Sequence, residues 1–251
     1  AATIRSGRTT DFQVGPMPAA ADNPRNLLTS LILVFPLFLI YQVGILFTLP
    51  VLNGVDFVTT LLFRTFGLTL TGYLGFLGGV LVLFLVTVMA LGRRQRFNGA
   101  VVIPVILESV VWALTMGSLI VFVMTRMLGI SPRLAGGIEG QGLLTRFVMS
   151  LGAGVYEESV FRLGLLSGLA LVLEKVVRVA RWAALLGALV LSSALFSAMH
   201  HLPPYGDPLA ISPFVFRVLA GIFFGLLFWR RGFAVAVYTH AFYDIFVLVI
   251  K

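Results

Sequence analysis

The stretch Gly154-Val155-Tyr156-Glu157-Glu158-Ser159-Val160-Phe161-Arg162 decides the fold of this chain. It lies inside an apolar run from about Phe147 to Leu173, long enough for a membrane-spanning helix. Each ionised side chain at the centre of a span costs about 2.5–3.5 kcal/mol on insertion scales, so these charges need partners inside the protein. Spacing assigns the partners. Glu158 and Arg162 are four residues apart, share a helix face and can pair. Glu157 is turned about 100° away and is not covered by Arg162. We therefore read Glu158–Arg162 as a compensated pair and Glu157 as the carboxylate free to act. Two competing readings stand beside this one: a structural polar lock between helices, and an Arg162 that binds a substrate carboxylate instead of Glu158.

The rest of the composition agrees with a membrane setting. Hydrophobic residues make up 59% of the chain and charged residues 11%, with a mean hydropathy of +1.03. That excludes an ordinary soluble domain and indicates an all-α, polytopic membrane helix bundle. The net charge of +8 sits in short segments between apolar runs. Basic residues placed that way are topology signals, so nucleic acid is not expected as a partner. The absence of Cys excludes thiolate chemistry and Cys-based zinc sites.

Residues 1–26 read as a polar N-terminal tail without the apolar core of a signal peptide. Residues 27–251 read as a single transmembrane helical domain. Spans are expected near 28–49, 70–91, 100–126, 147–173, 183–200, 213–229 and 233–250, about seven in all. An interfacial or re-entrant helix is expected at 54–66, where Asp56 and Arg64 interrupt the apolar residues. A loop rich in Gly and Pro follows at 127–142. With the N-terminus inside, eleven basic residues fall on inner segments and six on outer ones. That bias predicts a cytoplasmic N-terminus. Gly164-xxx-Gly168 and Gly221-xxx-Gly225 offer flat faces for close helix contact.

Two later spans carry polar residues at helical spacing. Phe196 and His200 are four apart at the end of one; His240 and Asp244 are four apart inside the other. A single His in a membrane helix is most simply a structural hydrogen bonder. Two of them on separate spans, with two glutamates on a third, supply the parts needed to activate water and stabilise an oxyanion. His201 points elsewhere on a helix and is taken as a loop residue.

The ordered set Glu157-Glu158-xxx-Arg162, Phe196-xxx-His200 and His240-xxx-Asp244 resembles the CPBP family, the CAAX proteases and bacteriocin-processing enzymes also called Abi. The resemblance covers about 147–248, some two-fifths of the chain, and makes that stretch the expected catalytic core. It implies an Rce1-like, α-helical intramembrane endopeptidase of a bacterial or archaeal cell membrane. It also implies roles: Glu157 and His200 activate water, while His240 and Asp244 line the oxyanion side. Phe196 packs beside the site. Eukaryotic-type members carry Asn where this chain has Asp244, and an ionised Asp cannot donate to an oxyanion. The expected partners are a membrane-associated peptide or protein substrate and the lipid bilayer.

No cofactor is expected on this reading. The alternative enzyme uses the same His and carboxylate residues to hold zinc, which would activate the water instead. A third reading is a non-catalytic membrane immunity or scaffold protein. The His-Glu-x-x-His and Gly-x-Ser-x-Gly signatures are absent. Gly206-Asp207 lacks the first Gly of an aspartyl Gly-x-Gly-Asp motif, because Pro204 stands there.

Overall fold

The computed structural model describes residues 26–66, 69–132, 140–202 and 208–250. The polar tail before Asn26, the centre of the Gly- and Pro-rich loop at 133–139, and 203–207, which include Pro204, Gly206 and Asp207, lie outside the described residues. Among the described residues all regular elements are helices: α1 (Leu27–Thr48), α2 (Phe57–Phe66), α3 (Leu70–Gly92), α4 (Val102–Phe122), α5 (Leu143–Gly152), α6 (Ser167–Lys175), α7 (Arg181–Met199), α8 (Ile211–Arg231) and α9 (Phe233–Ile245). A 3-10 turn leads into α4, and π turns prolong α4 to Met127 and α9 to Ile250. Between α5 and α6 the chain stays helical through two π-wound segments, Ala153–Glu157 and Ser159–Leu166. Together these pieces make one rod over 143–175.

Six helices are long and apolar enough to cross a membrane: α1, α3, α4 with its extensions, α7, α8, and α9 with its π turn. The rod over 143–175, where a further span is expected for the glutamates, is broken up by π winding and is not one of these six. The helical bundle is therefore the expected one. At 54–66 the chain forms only the short α2, starting at Phe57.

Local chemistry sets several ends. Asn26 Oδ1 accepts the Thr29 N–H at 3.2 Å and starts α1. Thr69 Oγ1 does the same for Gly72 at the start of α3. Gly232, at φ 97°, takes the chain from α8 straight into α9, and its N–H closes the end of α8 on Leu227 and Phe228 carbonyls. The start of α1 is tied to the end of α3: the Leu28 N–H donates to Gln95 Oε1 at 2.9 Å, and Asn26 Nδ2 to the Arg96 carbonyl at 2.8 Å.

α9 is the centre of the bundle. Every residue from Phe233 to Ala241 is buried, as expected of a helix that is apolar on all sides. It packs against α1, α4, α5, α8 and the first π segment. Lipid supplies no hydrophobic force between helices, so close packing depends on small residues. A Cβ on Gly154 would lie 2.7 Å from the Val237 carbonyl oxygen and 2.8 Å from Ala241 Cβ. The rod therefore meets α9 backbone to backbone. A Cβ on Gly221 would fall 2.8 Å from Ser193 Cβ, and one on Gly225 would collide with Leu189, so that pair joins α8 to α7 as expected. The Gly164/Gly168 pair does not join helices: a Cβ at Gly168 meets nothing within 4 Å, and at Gly164 only the Ser159 carbonyl of its own rod. The rod turns this face away from its neighbours and uses Gly152 and Gly154 instead.

Candidate active site

The π winding begins where the polar residues begin. Such wide turns recur at functional sites, because they present backbone and side chains that a regular helix would hide. Glu158 is fully buried and Arg162 is 1% exposed. Arg162 Nε lies 3.1 Å from Glu158 Oε2, and its Nη2 donates to the Gly221 carbonyl at 3.3 Å. The guanidinium sits over the Phe196 ring at 4.4 Å and the Phe224 ring at 5.3 Å. Arg162 is enclosed by these groups, and its Nη1 has no hydrogen-bond partner among the described residues.

Glu158 has a second partner that spacing alone did not suggest. Its Oε1 lies 2.7 Å from His240 Nδ1, on α9. A carboxylate can only accept, so His240 carries a proton on Nδ1 and turns Nε2 into the site. The ring is stacked on Phe224 at 4.4 Å, which fixes its plane. Glu158 thus links Arg162 and His240, and its charge compensates positive charge on either.

Glu157 is also buried. Its Oε2 is 3.5 Å from His200 Nε2 and 3.9 Å from His240 Nε2. Both separations exceed hydrogen-bond length, and Oε2 has no hydrogen-bond partner among the described residues. His200 follows the last turn of α7, where Nδ1 lies 2.8 Å from the Phe196 carbonyl. That carbonyl accepts, so Nδ1 is the protonated nitrogen and the Nε2 edge faces Glu157. The Phe196 ring packs edge-on against His200 at 4.9 Å. Asp244 Oδ2 is 3.7 Å from His240 Nε2. The His200 and Asp244 side chains are 28% and 22% exposed, so the site opens on their side.

All the sequence-derived residues therefore meet in one place: Glu157, Glu158, Arg162, Phe196, His200, His240 and Asp244. One neighbour escaped the sequence reading. Asn53, in the turn between α1 and α2, donates from Nδ2 to Glu157 Oε1 at 2.9 Å. The available signal was weak: an Asn-Gly turn after a span that itself holds the polar residues Tyr41 and Gln42. Among the described residues no group of three His, Asp or Glu side chains stands in metal-binding geometry.

Chemically, the arrangement offers one carboxylate oxygen to a pair of imidazole nitrogens whose tautomers are set from behind. These are parts for proton transfer. No curated protein and no solved structure matches the chain. Residues 139–246, less than half of the chain, match the family model described as Type II CAAX prenyl endopeptidase Rce1-like. The match takes in the glutamate rod, α7, α8 and α9 to Phe246, and so the whole site apart from Asn53: over these residues the chain is similar to the Rce1-like proteases of the CPBP family.

Proposed function

We propose that the protein is a glutamate-dependent intramembrane endopeptidase acting on a membrane-associated peptide or protein. The observation that supports this most is the convergence of Glu157 Oε2 with two imidazole Nε2 atoms, at 3.5 and 3.9 Å. In the proposed reaction a water held between Glu157 and His200 gives a proton to Glu157 as its oxygen bonds to the scissile carbonyl carbon. His240, charged on Nε2 and compensated by Glu158, donates to the oxyanion beside Asp244. Collapse of the tetrahedral intermediate breaks the C–N bond, and the proton held by Glu157 passes to the leaving amine. The products are a carboxylic acid and an amine, the acid then passes its proton to the amine to leave carboxylate and ammonium, and the enzyme returns to its starting protonation.

The orientation proposed is an N-terminus in the cytoplasm of a bacterial or archaeal cell. α1 and α7 then both run outward, so Asn53 and His200 lie toward the outer face. Zinc enters as an outcome of the test below.

The experiment uses the full chain in proteoliposomes with a farnesylated, internally quenched peptide ending in a CAAX sequence, and the same peptide without the lipid. Cleavage by the parent and none by Glu157→Gln is the expected result. Equal signals from parent and Glu157→Gln would refute the reading. Zinc measured on the same samples tests the metal alternative: stoichiometric zinc lost together with activity would replace the glutamate–histidine mechanism. Mass spectrometry of membrane peptides that accumulate in cells carrying Glu157→Gln would then identify the natural substrate.

A further inference from the structure

We propose that Asn53, outside the segment that matches the family, is a positioning residue that holds Glu157 in its working orientation. The proposal rests on the hydrolytic reading of Glu157 given above. A carboxylate has two oxygens, and a base must present one of them in a defined direction. Asn53 Nδ2 takes Oε1 at 2.9 Å, which leaves Oε2 aimed at His200 and His240. Among the described residues Asn53 is the hydrogen-bond partner of Oε1, and without it the carboxylate can rotate about its last bond.

The turn that carries Asn53 is itself clamped. The Asn53 N–H donates to Tyr41 Oη at 3.1 Å, and Tyr41 donates to Asp56 Oδ2 at 3.0 Å. The Asn53 side-chain oxygen accepts the Val55 N–H at 2.9 Å, and its carbonyl accepts the Asp56 N–H at 3.0 Å. This orients the amide: with Oδ1 used inside the turn, Nδ2 points outward to Glu157. Tyr41 is completely buried. It also packs against the glutamate rod at Gly152, where a Cβ would collide with its ring. The clamp is thereby braced on the helix whose glutamate it serves. Beside it, Gln42 hydrogen-bonds both Tyr156 and Tyr73, so α1, α3 and the rod share one buried polar network.

Two variants separate positioning from mere turn structure. Asn53→Asp keeps an oxygen for the Val55 N–H but has no donor for Glu157. Asn53→Ala loses both. For either, kcat should fall about tenfold to hundredfold while KM for the quenched peptide stays within about twofold, as expected for a misaimed base. A second readout needs no substrate. Asn53→Ala should lower the unfolding midpoint in detergent by about 3–10 °C in the parent, and by much less in a Glu157→Met or Glu157→Ala background. A turn-only role predicts the same loss in every background.

Parent-like kcat in Asn53→Asp, or additive midpoint losses, would overturn the proposal while leaving the peptidase reading intact. Non-additive losses without any Glu157-dependent cleavage would overturn the peptidase reading and leave the Asn53–Glu157 contact standing.

Discussion

Replacing Gly154 with Ala tests whether backbone contact between the rod and α9 sets the distance across the site. The new Cβ would sit 2.7 Å from the Val237 carbonyl oxygen and 3.0 Å from the Ala241 nitrogen. Both are backbone atoms of α9, so no side chain can swing aside. Opening the first contact from 2.7 Å to the 3.4 Å at which ordinary contact begins moves the helices apart by about 0.7 Å. Gly154 is three residues before Glu157, and Ala241 is next to His240, so the 3.9 Å between Glu157 and His240 should lengthen comparably. Misplacement on the scale of 1 Å costs up to about a hundredfold in rate, and overpacking costs about 1–3 kcal/mol in stability. We expect kcat to fall by about tenfold to hundredfold, with a lower unfolding midpoint. The control is Gly168→Ala, on the same rod, where a Cβ meets nothing. It should be unchanged or slightly stabilised, by up to about 1 kcal/mol of helix propensity. The assays are turnover of the quenched peptide and thermal unfolding in detergent. A Gly154→Ala enzyme with the parent's kcat and midpoint would refute the reasoning.

Further outcomes are expected from the charged residues and the topology. Glu158→Gln strands Arg162 and weakens the hold on His240, so it should cost about 3–5 kcal/mol and show as reduced yield of folded protein on size-exclusion chromatography. Glu157→Gln should elute and melt like the parent yet cleave nothing. Asp244→Asn supplies a donor at any pH, where Asp supplies one only as the acid; activity should persist and extend toward alkaline pH in assays from about pH 6 to 9. Loss of activity together with bound zinc would instead favour a metal role for Asp244. On this Cys-free chain, Leu209→Cys, at an exposed site before α8, should react with a membrane-impermeant thiol reagent applied from outside intact cells.

Hydropathy makes the spans legible because a membrane demands long apolar helices and tolerates few charges. The site is legible for a related reason. Charges inside such helices stand out, and the four-residue spacing relates Glu158 to Arg162, Phe196 to His200, and His240 to Asp244. The same rule is silent about pairs on different helices. It could not bring Glu158 to His240, nor Asn53 to Glu157 across 104 residues of chain. The glycines show the same limit. Gly164 and Gly168 have the favoured spacing but face away from the neighbouring helices. Gly152 and Gly154 lack that spacing and make the closest approaches of the rod. Which face of a helix meets a neighbour is a property of the whole bundle, so local spacing does not encode it.

The position of α9 has a consequence for biogenesis. The rod leaves the ribosome well before α9, and His240 follows Glu158 by 82 residues. During that interval the rod must enter the lipid without the imidazole that finally bonds Glu158. The Arg162 pairing lies within the rod itself, so the two charges can insert as a neutral unit. Glu157 has no such companion on its own helix; its amide partner, Asn53, has already been synthesised, whereas His200 and His240 are still to come. A nascent chain halted before α9 would contain both glutamates and Arg162 but no closed catalytic centre. On the proposed peptidase reading, hydrolytic competence would therefore arise only once the last helix has joined the bundle.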